Sequence, residues 1–283
     1  MQVSIVADLA QCSKDAHFSR DEVEFFRTNG YVAGPRVLSD EQIDCLRTRC
    51  DDIASGRIEF PDELSGLANA DVKGNPQLSK IVNLFRHDPV FAEVIGSSTI
   101  SRLAHDLMPG PVRVWEDQSI AKAPGDAHGV VAWHRDYTYW DHVGPAELAT
   151  CWIALDDATV ANGCMQVIGG SHRWKLDYRR DDVDNNNPNW VLERPEIPSA
   201  ASLAPVACEL PAGHCHFHHC LTLHGSAANT TDRPRRSYIL HLMPGTTRRL
   251  GHDWNPRMGS VEGVEVGDIV RGPDYPELAS VKM

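Results

Sequence analysis

The chain has 283 residues, with 27 Lys and Arg against 39 Asp and Glu, and a formal net charge of −12. A charge of this sign repels polyanions, so nucleic acid and anionic membrane surfaces are not expected partners. The sequence contains neither an apolar run of the roughly 20 residues that a membrane helix requires nor a signal-peptide pattern. We therefore expect a soluble, cytoplasmic protein.

Cysteine usage also bounds the class of protein. The eight cysteines are scattered and form no CxxC pair. In a chain of this length they are expected to be reduced and mostly buried thiols. A disulfide framework or a structural zinc knot is not predicted.

Helix signals dominate the region from about residue 19 to about 108. Ser19 to Glu22 has the pattern of a capping box, and Asn29-Gly30 is a typical helix end, with a short strand expected around Tyr31. Ser39 to Gln42 repeats the capping pattern. Asp88-Pro89 predicts a further helix start, and Ser98 is predicted to cap another helix.

The hydrophobic pattern changes to alternation after Pro111. The β-like segments are VRVWEDQSIAK (112–122), LATCWIAL (148–155), CMQVI (164–168), CHFHHCLTL (215–223) and SYILHLM (237–243). Helices followed by many short strands predict a mainly β domain, a sandwich or barrel buttressed by N-terminal helices. We expect one domain over residues 1–283, with a β core from about 112 to 245.

Two regions have no regular pattern. Residues 177–205 are long, polar and rich in turn residues, which indicates an insertion loop that is able to cover a site. Residues 250–283 show no strong periodicity and are expected to be mostly irregular.

The segment VVAWHRDYTYWDH (130–142) contains the first candidate for a metal site. Side chains at i and i+2 of an extended segment point to the same side, so His134 and Asp136 are able to bind one ion. His224, 90 residues downstream at the end of a β-like segment, is the candidate third ligand. Two histidines and one carboxylate on one face of an octahedral ion are typical of non-haem Fe(II) oxygenases.

Open metal positions imply a co-substrate, and two arginines are candidates to bind one. Arg235 and Arg236 begin the next predicted strand, where a planar guanidinium suits a carboxylate. Neighbouring strand residues alternate in direction, so only one of the two is expected to face the pocket. The pattern alone does not choose between them.

Six stretches in order resemble the phytanoyl-CoA dioxygenase family of Fe(II)/2-oxoglutarate-dependent oxygenases, from about residue 21 to about 245. They are DEVEFFRTNGYV, SKIVNLFRHDPVF, WEDQSIAKAPG, WHRDYTYW, CWIALDDATVANGCMQVIGGSH and LHGSAANTTDRPRRS. The resemblance implies a double-stranded β-helix (jelly-roll) core. It also implies Fe(II), 2-oxoglutarate and O₂ as cofactor and co-substrates, and a small organic molecule as substrate.

The resemblance also implies roles for individual residues. His134, Asp136 and His224 match the iron ligands, and Arg235 matches the arginine that pairs with the far carboxylate of 2-oxoglutarate. Other residues that match the co-substrate pocket are Ser226, Trp152, Gln118 and Lys80. Arg135 and His214 depart from the residues usual at their positions, which affects the expected substrate rather than the chemistry.

The implied reaction is hydroxylation of an aliphatic C–H with release of succinate and CO₂. Related halogenases have Ala or Gly at the position of Asp136, so this carboxylate favours hydroxylation. Epimerisation, cyclisation or desaturation by the same iron chemistry is one alternative, and a catalytically silent metal-binding jelly roll used for ligand sensing is another. Zinc-dependent hydrolysis is less favoured, because no paired general base is evident.

Aromatic residues and histidines near the three ligands also have expected roles. Tyr137 and Trp140 are the candidates for substrate contact, and Trp133 is expected to pack behind the ligands. His214, His216 and His218 share a strand face and are predicted to be packed or hydrogen-bonded, with one of them supporting a ligand. The substrate and the oligomeric state stay open.

Overall fold

The computed structural model describes residues 16–61, 78–125, 129–178, 182–183, 187–251 and 261–279. Parts of the predicted insertion and of the C-terminal segment, including Asp181, Asn185 and Asn186, lie outside the described residues. In the described part of the chain, no helix combines the length and the apolar character needed to cross a bilayer.

The N-terminal third forms the four predicted helices and one short helix, α3, that was not predicted. They are α1 (Arg20–Asn29), α2 (Asp40–Ala54), α3 (Leu84–His87), α4 (Pro89–Ile95) and α5 (Ser98–Leu107). Both predicted capping boxes are present, at Ser19 and at Ser39. Gly30 ends α1 with φ of 79°, a left-handed conformation that glycine adopts without steric cost.

One predicted cap was wrong by a single residue. The N-cap of α5 is Ser97, whose side chain accepts a hydrogen bond from the backbone N–H of Ile100, and Ser98 is the first helical residue. Two consecutive serines satisfy the same capping preference, so the sequence pattern does not distinguish them.

The strands form two main antiparallel sheets. Their bounds are β1 (Tyr31–Arg36), β2 (Leu78–Val82), β3 (Val112–Lys122), β4 (Val131–His134), β5 (Val143–Gly144), β6 (Ala149–Ala154), β7 (Met165–Val167), β8 (Val206–Ala207), β9 (His214–His219), β10 (His224–Ser226), β11 (Arg235–Pro244) and β12 (Arg248–Arg249). One sheet has the order β1-β9-β6-β11-β3-β2 and the other β4-β10-β7-β8, while β12 pairs with β5. The arrangement is a jelly roll, as expected.

The six-stranded sheet separates the hydrophobic core from a cavity. Alternate residues such as Cys151 and Ile153 of β6 pack with the helices in the largest buried cluster. Trp152, between them, points to the opposite face and lines the cavity. This period-2 alternation places one set of side chains in the core and the other in the cavity.

One predicted strand is two elements. The segment 215–223 was expected to run continuously to His224, but β9 ends at His219 and a turn precedes β10, which begins at His224. The backbone N–H of Thr222 donates to the carbonyl of His219 in this turn. The chain thereby leaves the six-stranded sheet and enters the smaller one, which a continuous apolar pattern does not reveal.

Candidate metal centre

The three predicted metal ligands converge on one point. His134 ends β4, Asp136 begins a 3-10 helix (Asp136–Tyr139), and His224 begins β10 directly opposite His134. The Nε2 atoms of His134 and His224 lie 3.7 and 3.4 Å from Oδ1 of Asp136. One ligand atom from each residue lies within 4.8 Å of the others, which is the spacing required to hold a metal ion.

A glycine allows the two ligand-bearing strands to approach. Gly225 follows His224 in β10, and a Cβ on it would lie 3.0 Å from the carbonyl oxygen of Val131 and 3.2 Å from Trp133 in β4. A larger residue would push β10 away from β4. The glycine of the HGS sequence therefore maintains the distance between the two histidines.

Backbone carbonyls fix the orientation of both imidazoles. Nδ1 of His134 lies 2.8 Å from the carbonyl oxygen of Ala132, and Nδ1 of His224 lies 3.0 Å from that of Thr222. A carbonyl only accepts, so each Nδ1 carries the proton and each Nε2 has a free lone pair. Both lone pairs belong to the nitrogens that face Asp136, and this is how metal-binding histidines are usually supported.

Two donors hold the other oxygen of Asp136. Oδ2 accepts a hydrogen bond from Oγ1 of Thr150 at 2.7 Å and from Nε2 of His218 at 3.1 Å. Oδ1 is left directed towards the two histidines. His218 is thus the member of the histidine-rich strand that supports a ligand.

The support for Asp136 continues as a directed chain of hydrogen bonds. Oγ1 of Thr150 donates to Asp136, so it accepts from Nδ1 of His241 at 2.9 Å. Nε2 of His241 then accepts from the side-chain amide of Gln118 at 3.0 Å. Burial lowers the pKa of His241 to about 3, so the imidazole is neutral. A neutral imidazole is required here, because Nδ1 donates to Thr150 while Nε2 accepts from Gln118.

Replacing Thr150 by Val is expected to weaken metal binding roughly 10–100-fold, the usual cost of losing a group that supports a metal ligand. Valine has the shape of threonine but donates no hydrogen bond to Asp136. Fe(II) or Mn(II) titration of the purified variant measures the effect. Thr247→Val is the matched control, because Thr247 is buried and its hydroxyl has no hydrogen-bond partner. Equal metal affinity in Thr150→Val and wild type would mean that the hydrogen bond from Thr150 to Asp136 does not contribute to metal binding.

The charges of the three ligands suit a dication. Burial lowers the pKa of His134 to about 3, and the neighbouring His224 adds to the effect. Burial also disfavours the ionised form of Asp136, but His224 and His218 outweigh it and hold its pKa well below the usual range. Asp136 in turn raises the pKa of His224 despite burial. Two imidazoles that each direct Nε2 at the site, together with an ionised carboxylate, fit Fe(II) chemically.

The ligands lie in a cavity of about 190 Å³. It is bounded by the six-stranded sheet on one side and by the smaller sheet on the other. All five residues predicted to bind 2-oxoglutarate line this cavity with the three ligands: Lys80, Gln118, Trp152, Ser226 and Arg235. Residues from five separate strands therefore meet at one site.

Arg235 is a buried cation without an acidic partner in the described part of the chain. Only 2% of its surface is exposed, its Nε atom has no hydrogen-bond partner, and one terminal nitrogen donates to Ser237 at 3.3 Å. Its guanidinium lies 5.5 Å from the centre of the Trp152 ring. Burial lowers the pKa of Arg235 to about 10, because the enclosed guanidinium has lost its hydration.

Strand alternation separates Arg235 from Arg236. The backbone and Nε of Arg236 donate to Oδ2 of Asp156 at 2.8 and 2.9 Å, and a terminal nitrogen donates to Asp51. The charge of Arg236 is therefore paired with two carboxylates on the helix side of the sheet. Arg235 is the arginine that faces the cavity.

The aromatic residues after Asp136 are arranged differently from the prediction. Trp140 lines the cavity, but Tyr137 does not, and the hydroxyl of Tyr137 donates to the carbonyl of Val143 at 2.8 Å. Tyr139 lines the cavity in its place. Residues i and i+3 share a face of a 3-10 helix, so Tyr139 follows the direction of Asp136. Trp133, expected behind the ligands, is itself part of the cavity wall.

Described residues of the predicted insertion contribute to the cavity wall. Val183 and Trp190 line it, and the backbone N–H of Trp133 donates to the carbonyl of Pro188 at 2.9 Å. Arg135, between the two ligands, turns away and donates to backbone carbonyls that include that of Trp174 at 2.7 Å. The unusual residue between the ligands thus anchors the segment that leads into the insertion.

Sequence reasoning missed several residues that shape the site. Thr150, His241 and Glu116 lie on strands whose alternating pattern is evident in the sequence. Once Trp152 and Gln118 are placed in the cavity, the same alternation predicts that these three side chains face it as well. Lys122 gave no signal. It is fully buried and donates to the carbonyl oxygens of Gly129, before β4, and Ala227, after β10. Lys122 thereby links the two strands that carry His134 and His224.

A jelly roll that presents two histidines and a carboxylate in one cavity defines the class of non-haem iron oxygenases. The sequence model of the phytanoyl-CoA dioxygenase family (PhyH) matches residues 26–237. A phytanoyl-CoA dioxygenase of Arabidopsis thaliana is 27% identical to this chain, in a match that covers 79% of this chain and 88% of the relative. The chain belongs to the phytanoyl-CoA dioxygenase family of Fe(II)/2-oxoglutarate-dependent oxygenases.

Solved structures share the architecture. The non-haem alpha-ketoglutarate-dependent carbocyclase SnoK from nogalamycin biosynthesis matches with a TM-score of 0.68 and 25% identity, over 93% of this chain and 97% of SnoK. The epimerase SnoN, in complex with Fe3+, alpha ketoglutarate and nogalamycin RO, matches with a TM-score of 0.72 and 23% identity, over 92% and 98% of the two chains. The SnoN match supports the fold.

Proposed function

We propose that this protein hydroxylates an aliphatic C–H of a small organic molecule, with conversion of 2-oxoglutarate to succinate and CO₂. One observation carries the proposal. The Nε2 atoms of His134 and His224 and Oδ1 of Asp136 converge in the same cavity as the unpaired guanidinium of Arg235. A metal site and an anion site in one cavity match an iron ion and a dicarboxylate co-substrate.

The residues present would divide these tasks. His134, Asp136 and His224 would hold the iron ion, and Arg235 would pair with the far carboxylate of 2-oxoglutarate. Trp152, beneath the guanidinium, would keep Arg235 in place, and Ser226, Gln118 and Lys80 would complete the co-substrate pocket. When bound, iron and 2-oxoglutarate supply the O₂-activating chemistry of this class of oxygenase.

The protein's own part is to orient the substrate and exclude water. Trp133, Tyr139, Trp140 and Trp190 contribute aromatic surface to the cavity wall. Such a wall favours an apolar ligand body and keeps bulk water from the reacting C–H. Because Trp190 and Val183 belong to the insertion, we propose that residues 177–205 contribute to substrate selection.

A second outcome of the same chemistry is supported by one comparison. SnoK, a carbocyclase, is similar to this chain over almost its full length. Ring closure, epimerisation or desaturation requires the same metal ligands and co-substrate as hydroxylation, and the position of the substrate decides between them. A catalytically silent role is less supported, because a sensor has no need for both a metal site and a buried, unpaired arginine.

Product analysis tests the proposal. Purified protein with Fe(II), 2-oxoglutarate and O₂ is screened against small organic molecules for succinate release, and the products of positive reactions are analysed by mass spectrometry. Hydroxylation adds one oxygen atom to the substrate. An unchanged mass indicates epimerisation, and the loss of two hydrogens indicates ring closure or desaturation. Either of the last two results would replace hydroxylation.

A further inference from the structure

One buried acid in the cavity has no role in the metal or co-substrate site. Glu116 is 3% exposed, lines the cavity, and its Oε2 atom has no hydrogen-bond partner. A buried carboxylate without a partner loses its hydration and gains nothing in return. Its neighbour Asp117 faces the other side of the sheet and accepts hydrogen bonds from Tyr238 and from the backbone of Phe85. Of the two adjacent acids, only Glu116 is directed at the cavity without support.

The register of the sheet places Glu116 far from the co-substrate anchor. Glu116 of β3 lies opposite His241 of β11, whereas Arg235 of β11 lies opposite Lys122. Six residues of extended strand separate the two levels, or about 20 Å. His241 belongs to the chain of hydrogen bonds that supports Asp136, so Glu116 lies level with the metal ligands. Along β11 and β3, this end of the cavity therefore lies away from the position that anchors 2-oxoglutarate at Arg235.

The charge of this end argues for a neutral ligand. Burial raises the pKa of Glu116 to about 7, and Lys80, which lines the same cavity, opposes this shift although no ion pair joins the two side chains. A ligand with an ammonium group would meet the like charge of Lys80. A hydroxyl donates one hydrogen bond to Glu116 and adds no charge. Trp140 and Tyr139, which line the same cavity, suit an aromatic or aliphatic ring.

We propose that Glu116 is a specificity-determining residue that accepts a hydrogen bond from a hydroxyl group of a neutral, ring-containing substrate. The proposal rests on the proposed function, since it assigns Arg235 to the co-substrate and the opposite end of the cavity to the substrate. The hydroxyl is the group that is recognised, and the oxidised C–H is a separate position on the same molecule. Glu116 orients that molecule relative to the metal ligands.

Matched small probes test the proposal. 2-Phenylethanol, its methyl ether and 2-phenylethylamine share one scaffold and differ in the group offered to Glu116. Their affinities for the Zn(II)-loaded protein are measured by ligand-observed NMR, with and without 2-oxoglutarate. We expect the alcohol to bind about tenfold tighter than the ether, because only the alcohol donates a hydrogen bond to the otherwise unpaired Glu116. The amine is expected to bind more weakly than the alcohol.

Two variants isolate the carboxylate. In Glu116→Leu the preference for the alcohol over the ether is expected to disappear. Glu116→Gln keeps a neutral acceptor, so the ratio of the alcohol's affinity to the ether's is expected to be about threefold lower than in the wild type. Glu277→Gln, at an exposed ion pair with Arg113, is the matched control and should keep the full preference. If Glu116→Leu fails to fold by circular dichroism, the Gln variant decides the result.

Several results would overturn the role of Glu116. They are an undiminished preference in either variant, tighter binding of the amine than of the alcohol, or equal binding of alcohol and ether to the wild type. Absence of binding by the alcohol would also overturn it. Titration of 2-oxoglutarate into the same samples is a separate readout. If 2-oxoglutarate fails to bind while the alcohol preference holds, the proposed function fails and the assignment of Glu116 to ligand recognition stands.

Discussion

Replacing Asp136 by Ala is expected to abolish 2-oxoglutarate turnover, with a loss of metal affinity greater than about a hundredfold. Loss of an outer supporting group alone costs 10–100-fold, and Asp136 supplies the one anionic ligand of the set. The substitution also removes the acceptor for Thr150 and His218. Metal content after dialysis and succinate formation measure the result.

Asp141→Ala is the control for this substitution. Asp141 lies five residues further along the same segment and is absent from the cavity lining. Circular dichroism establishes that both variants are folded. If Asp136→Ala retains bound iron and normal turnover, Asp136 is not a metal ligand.

Replacing Arg235 by Met is expected to raise the Kd for 2-oxoglutarate by about a hundredfold, or roughly 2.8 kcal/mol of binding free energy. A bidentate pair between a guanidinium and a carboxylate in a buried site contributes on this scale, because both hydrogen bonds are charge-assisted. Methionine fills part of the volume over Trp152 and leaves metal binding unchanged. Isothermal titration of the metal-loaded variant with 2-oxoglutarate gives the value.

Arg236 offers a matched control on the adjacent position. Arg236→Met breaks ion pairs with Asp156 and Asp51 on the other face of the sheet and is expected to lower stability without changing the Kd for 2-oxoglutarate. Arg235→Lys keeps the charge but not the planar fork and should fall between wild type and Arg235→Met. A larger effect from Arg236 than from Arg235 would reverse the assignment of the two arginines.

Local signals in the sequence predicted much of the fold. The capping boxes at Ser19 and Ser39 and the Pro at 89 marked helix starts that the structure confirms, because these residues act through backbone groups one turn away. The alternation of 112–122 gave the full extent of β3. The turn before His224 was missed, since the apolar pattern continues from the large sheet to the small one.

The candidate site was only partly readable. Residues with distinctive chemistry, such as His134, Asp136 and Arg235, stood out from their spacing or their resemblance to a family. Thr150 and His241 did not, because a threonine and a histidine on a strand have no pattern of their own and act only through contacts across the sheet. Their role depends on a register that sequence spacing does not contain.

The aromatic side chain that faces the cavity after Asp136 was also not predicted correctly. Predicting Tyr137 as the cavity residue assumed that the chain after Asp136 stays extended or that proximity decides. The chain instead turns into a single 3-10 helix, and the period of three brings Tyr139 to the face of Asp136. One change of local period therefore altered which aromatic side chain reaches the cavity.

We expect this cavity to bind iron and 2-oxoglutarate together and to use both in a reaction with O₂. The most direct measurement is succinate formation by the purified wild-type protein with each component omitted in turn. Succinate is predicted to accumulate only when Fe(II), 2-oxoglutarate and O₂ are all present, and to be absent with Asp136→Ala. Failure of the iron-loaded protein to bind 2-oxoglutarate, or equal succinate formation without iron, would mean that this cavity is not the site of an iron- and 2-oxoglutarate-dependent reaction.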